Sequence, residues 1–160
     1  MSLSVPWTLR PAERRDVAEL LRLEVAQFPE PWTRSMLLDE IENTQSRRYR
    51  VAVEDGVIVG YVGLMFVLDD VHVNTLGTLP SHEGRGIATA LLRDGLDAAR
   101  ERGATRATLE VAASNTRAQT LYFRFGFHPV GVRRRYYERT GEDALILWAE
   151  LGEANQQSVK

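Results

Sequence analysis

Leu76-Gly77-Thr78-Leu79-Pro80-Ser81-His82-Glu83-Gly84-Arg85-Gly86-Ile87-Ala88-Thr89 joins two segments of different period. Before it, Val71 to Leu76 reads as a strand. After it, Ala88, Leu91, Leu92, Leu96 and Ala99 share one face of a helix, and Arg93, Asp94, Asp97, Arg100 and Glu101 share the other. Gly103 ends this helix in the C′ role. Arg106 to Val111 is the next strand. The piece from Val71 to Val111 is therefore expected to be a parallel strand–helix–strand crossover.

Working outward, Trp7 to Arg10 predicts a short first strand. Glu13 to Gln27 predicts a helix with Val17, Leu20, Leu21 and Phe28 spaced for one face, ended by Pro29 and Pro31. Thr33 caps a second helix through about Asn43, carrying Leu37, Leu38 and Ile41. Tyr49 to Val53 alternates and reaches the hairpin turn Glu54-Asp55-Gly56. Val57 to Leu68 is a long apolar strand containing Gly60 and Gly63, and Asp69-Asp70 reads as a turn that could attract a cationic amine. Downstream, Asn115 to Phe125 predicts a helix ended by Gly126, and Phe127 to Arg133 and Ala144 to Leu151 predict two last strands. The order β-α-α-β-β-β-α-β-α-β-β predicts an α/β chain. Its expected form is one mixed, mostly antiparallel sheet of about seven strands with four helices on both faces. A single domain is expected over 1–151, with 152–160 a polar, disordered tail.

Composition narrows the function. The 160 residues are 44% hydrophobic and 26% charged, ordinary for a globular domain. The absence of cysteine excludes disulfides, thiolate-ligated zinc and thiol nucleophiles, and makes the cytoplasm the default setting. A net charge of -2 argues against direct nucleic-acid binding, which leaves Arg133-Arg134-Arg135 as a local basic run. No apolar stretch approaches the roughly 20 residues that span a bilayer, and Met1-Ser2-Leu3-Ser4-Val5-Pro6 does not read as a signal peptide. His72, His82 and His128 are too scattered for a metal site, so no metal is expected, and His72 reads as an ordinary residue, with the lining of an acceptor cleft as its other reading.

The glycines of the opening run sit at a helix N-terminus. There, backbone N–H groups lack intrahelical partners and the macrodipole is positive, a seat suited to pyrophosphate. A plain strand-to-helix turn uses glycine equally well, and the loop alone does not separate the two. It is not a Walker A loop, because no Gly-Lys-Ser/Thr follows, nor a dinucleotide fingerprint, because Thr89 stands where the last glycine belongs.

Further along, Leu109-Glu110-Val111-Ala112-Ala113-Ser114-Asn115 precedes Leu121-Tyr122-Phe123-Arg124-Phe125-Gly126-Phe127. Together with Glu83-Gly84-Arg85-Gly86-Ile87-Ala88, this resembles the two central motifs of the GNAT (Gcn5-related) N-acetyltransferases. Two departures stand out: Glu83 replaces the usual amide or cation, and Thr78-Leu79-Pro80 keeps only the proline of the usual Val-Asp/Glu-Pro. The spacing from Glu110 to Tyr122, the early Phe28-Pro29-Glu30-Pro31-Trp32-Thr33 and the late Arg133-Arg134-Arg135-Tyr136-Tyr137 are similar to bacterial members that acetylate the N-terminal alanine of a ribosomal protein. The resemblance covers roughly residues 7 to 151.

The resemblance implies acetyl-CoA as co-substrate. It implies cofactor contacts at Leu76, Gly77, Thr78, Gly84, Arg85, Gly86, Ile87, Ala88, Thr89 and Asn115. Glu110 is implied as the base that deprotonates the acceptor amine, with partial burial needed to raise its basicity. Tyr122 is implied as proton donor to the departing thiolate, and the backbone N–H near Leu76 as partner of the thioester carbonyl. Trp32, Tyr136 and Tyr137 are implied as acceptor-binding, the two tyrosines packing on the acceptor's backbone. Read without the resemblance, Glu110 is a solvated strand residue, Tyr122 a core tyrosine and Asn115 a helix cap. The implied activity is acetyl transfer to a protein N-terminal α-amine, by a monomer or homodimer. Transfer to a small amine, or acetyl-CoA binding by a non-catalytic sensor, are the alternatives.

Overall fold

The computed structural model describes residues 4–27 and 32–152. Among them are β1 (Thr8–Pro11), α1 (Val17–Gln27), α2 (Arg34–Glu42), β2 (Arg47–Glu54), β3 (Val57–Val67), β4 (Asp70–Thr78), α3 (Ile87–Glu101), β5 (Arg106–Ala112), α4 (Thr116–Arg124), β6 (His128–Tyr137) and β7 (Glu142–Glu150). The seven strands form one sheet in the order β1-β2-β3-β4-β5-β7-β6. β4 and β5 pair in parallel, from Asp70↔Arg106 to His72↔Thr108. β1 with β2, β5 with β7, and β6 with β7 pair antiparallel. The mixed, mostly antiparallel sheet and the crossover through α3 are as the sequence pattern predicts.

The described residues pack as two compact bodies, one from those within 4–64 and 75–95, the other from those within 65–74 and 96–152. In the first, α1 and α2 bring Val17, Leu20 and Leu37 onto Tyr49, Val51, Ile58 and Tyr61. Each such side chain taken out of water contributes about 1.5–3 kcal/mol. The opposite face of β3 carries α3: a methyl group at Gly60 would meet Ile87 Cγ2 at 2.6 Å and Leu91 Cδ1 at 3.1 Å. The Asp55-Gly56 hairpin has φ of 52° and 77°, the paired left-handed geometry of a tight two-residue turn.

In the second body, Ala107, Leu109 and Val111 of β5 are buried while Thr108 and Glu110 are half-buried, the alternation of a strand with one core face. Cross-strand pairing puts Trp148 opposite Thr108 and Ile146 opposite Glu110.

Several boundaries shift by a residue or two, and three differences have a clear cause in the structure. The first helix does not run unbroken from Glu13: Arg14–Asp16 is a 3-10 turn closed by reciprocal Glu13 and Asp16 caps, and Arg10 grips Asp16 at 2.7 and 2.9 Å. Asp69 lies in the turn as expected, but Asp70 begins β4, where its carboxylate accepts a hydrogen bond from Arg106 at 2.8 Å. β6 runs on from Arg133 to Tyr137 because its pairing with β7 resumes at Tyr137↔Glu142 after an irregularity. Phe28, Pro29, Glu30 and Pro31 and the tail 153–160 lie outside the described residues.

Candidate active site

The first body holds the glycine loop. Gly84 and Gly86 have φ of 81° and 89°, backbone that side-chain-bearing residues adopt only at a cost. Ala90 N–H bonds to Gly86 O at 2.9 Å, closing the first turn of α3. Helix geometry leaves the N–H groups of Ile87, Ala88 and Thr89 ahead of that bond without intrahelical partners. The Ile87 side chain is buried at 1% exposure, so only its N–H is on offer to a ligand. Arg85 is half-exposed and lies 3.9 Å from Glu54, which also lies 3.5 Å from His82. Thr78 Oγ1 is buried without a hydrogen-bond partner among the described residues. An orphaned hydroxyl, a run of unpaired N–H groups and a cation suit a ligand with a phosphate and amide-rich arm. Trp32 packs near Tyr49, ring centroids 6.4 Å apart.

The second body holds the titratable cluster. Glu110 Oε1 meets His72 Nε2 at 2.9 Å, and Glu110 Oε2 lies 3.6 Å from Arg133 Nε. His72 Nδ1 faces Asn74 Oδ1 at 2.5 Å. Burial pushes the His72 ring down, but its hydrogen bonds to Glu110 and Asn74 and the charge of Glu110 outweigh burial, and it ends above its ordinary value. The hydrogen bond from His72 holds Glu110 below the usual carboxylate range, although burial pushes it upward. Glu110 by itself is thus a weaker base than partial burial alone would make it.

Tyr122 is buried on α4, edge-on to Phe127 at 5.6 Å. Burial raises it, with Tyr137 adding to the shift, so its hydroxyl keeps its proton through neutral pH. Asn115 Oδ1 caps α4 through Ala118 N–H at 3.1 Å, which leaves its amide nitrogen as the group to offer a ligand. Tyr136 and Tyr137 meet edge to face at 5.1 Å, Tyr136 being 45% exposed. His72, read from sequence as ordinary, is the partner of Glu110, and Asn74 and Arg133 complete the cluster. One signal was present: His72 and Asn74 stand two apart on a strand and so can face one way.

Among the described residues, no group of three or more acidic, histidine or cysteine side chains could hold a metal ion. No described helix is long and apolar enough to cross a membrane.

A sequence model of the Acetyltransferase (GNAT) family matches residues 17–127. The chain belongs to that family and is an acetyltransferase. Among its relatives, N-alpha-acetyltransferase RimI of Mycobacterium tuberculosis is 34% identical over 154 residues, 92% of this chain and 95% of that protein. A Bacillus subtilis protein provisionally named as a ribosomal protein bS18-alanine N-acetyltransferase is 35% identical over 138 residues, 86% of this chain and 91% of that one. The crystal structure of the ribosomal-protein-S18-alanine N-acetyltransferase from Escherichia coli superposes with a TM-score of 0.82 at 26% identity, covering 91% of this chain and 94% of that chain.

Proposed function

We propose that the chain transfers an acetyl group from acetyl-CoA to the N-terminal α-amine of a protein, with a ribosomal protein beginning in alanine as acceptor. The relatives' names support the acceptor, and the His72–Glu110 pair carries the chemistry. An acceptor α-ammonium, with an ordinary pKa near ~7.7–8.0, must lose a proton before it attacks. His72 and Glu110 stand in hydrogen-bond contact at 2.9 Å, so the pair acts as the accepting unit. Above the raised value of His72 the pair has given up its proton and can take one from the ammonium. Arg133 keeps Glu110 ionised while this happens. Tyr122 holds its proton for the departing thiolate. Leu76 N–H serves the thioester carbonyl as negative charge develops there.

The N–H groups of Gly86, Ile87, Ala88 and Thr89, with Gly84 and Arg85, hold the pyrophosphate, while Gly77, Thr78 Oγ1 and the Asn115 amide line the remainder of the donor. Trp32, Tyr136 and Tyr137 contact the acceptor. The test is a titration with acetyl-CoA followed by thiol release over peptides beginning with alanine, serine or methionine and over small amines. Binding with release on the alanine peptide is expected. Release on small amines alone would overturn the acceptor, binding with no release would point to a sensor, and no binding would remove the whole reading.

A further inference from the structure

Glu24 plays no part in the steps above, yet it is the most deeply buried acid among the described residues, 2% exposed on α1. It accepts a hydrogen bond from Thr75 Oγ1 on β4 at 3.0 Å. Burial pushes its carboxyl upward, opposed by the hydrogen bonds from Thr75 and from the backbone of Trp32. An acid in such a place is costly to fold around unless its hydrogen bonds are kept. What it grips lies two positions before Gly77.

Gly77 is held from another direction. A methyl group there would fall 2.5 Å from Tyr61 Cζ and 2.9 Å from Cε1, with the hydroxyl oxygen closer still. Tyr61 is fully buried and stacks on Tyr49, centroids 6.3 Å apart and planes 8° from parallel. Both hydroxyls are buried without a partner among the described residues, so packing rather than hydrogen bonding fixes the Tyr61 ring. Thr75 and Gly77 flank Leu76. Leu79 N–H points to β3, donating to Val59 O at 2.9 Å. In a regular strand successive N–H groups alternate, so Leu76 N–H is turned away from β3.

We propose that Glu24 is a positioning residue for acetyl transfer: its hydrogen bond to Thr75, with the Tyr61 ring against Gly77, clamps β4 on both sides of Leu76 and fixes the aim of the Leu76 N–H. This rests on the reading of that N–H as donor to the thioester carbonyl. A donor helps only when it is aimed where the charge develops, and a small misplacement can slow the step by about a hundredfold.

The test compares Thr75→Val, which keeps the shape and loses the donor, with Thr75→Ser, which keeps the donor. For each, kcat is measured with whichever amine the wild type accepts, and the acetyl-CoA dissociation constant by titration. Thr75→Val is expected to lower kcat by about tenfold or more while acetyl-CoA binding changes by less than about threefold, and Thr75→Ser is expected to restore the rate. A folded Thr75→Val with wild-type kcat, a Thr75→Ser as slow as Thr75→Val, or binding that weakens in step with kcat would each overturn the clamp. Should Thr75→Val not fold, Glu24→Asp, whose carboxylate falls one methylene short, takes its place under the same criteria.

A second readout needs no turnover: the amide resonance of Leu76 in 15N-leucine protein, titrated with acetyl-CoA and with CoA. An acetyl-dependent shift in the wild type that shrinks in Thr75→Val supports the clamp. The same shift undiminished in the variant overturns the clamp alone. No acetyl-dependent shift in the wild type overturns the Leu76 assignment and the clamp with it.

Discussion

His72 and Glu110 are displaced in opposite directions from their ordinary values, and the sign of each displacement predicts behaviour. Glu110→Gln removes the partner that raises His72, so burial then dominates. The variant should lose about 10²–10⁴-fold in kcat, and the residual pH–rate limb should move to lower pH than the wild-type limb. A kcat within a few-fold of wild type, with the limb unmoved, would remove Glu110 from the chemistry. For stability, the raised His72 contributes fully below its ordinary 6.5 and loses that contribution as pH rises through its folded value. The lowered Glu110 contributes fully above its ordinary 4.5 and loses it as pH falls through its folded value. The pair therefore stabilises most between about pH 4.5 and 6.5. Denaturation of wild type and Glu110→Gln across pH should show their difference largest in that window.

At the scale of elements, β5 was legible because a strand with one buried face writes its period into the chain: Leu109 and Val111 go in, Thr108 and Glu110 stay out. α3 was legible for the same reason at a helical period, with Leu91, Leu92, Leu96 and Ala99 buried. The partner of Glu110 was not legible. His72 lies 38 residues away, and which residue of β4 meets β5 is a matter of register, which local pattern does not encode. The grip of Glu24 on Thr75, across 51 residues, was hidden likewise. The glycine loop carries its own prediction. A side chain at position 86 would meet no atom within 4 Å, so the obstacle to Gly86→Ala is its φ of 89° alone. That substitution should cost about 1–2 kcal/mol of stability. It should also weaken acetyl-CoA binding several-fold by re-aiming the first turn of α3, and unchanged affinity by titration would separate the loop from the cofactor.

Taken whole, the chain handles amines while carrying few of its own. Of its 20 lysines and arginines, lysine occurs only at position 160. Incubated with acetyl-CoA, no peptide from within residues 5–159 should gain an acetyl group on a side-chain amine, since none of these residues is lysine. A stable addition within that stretch would mean that side chains other than amines are being modified. The contact between Tyr61 and Gly77 reaches beyond a single chain. Over descent the two positions share one volume, so neither can drift independently. A side chain at 77 would force the outer part of the ring at 61 to move, so a change at either position is expected to draw a compensating change at the other.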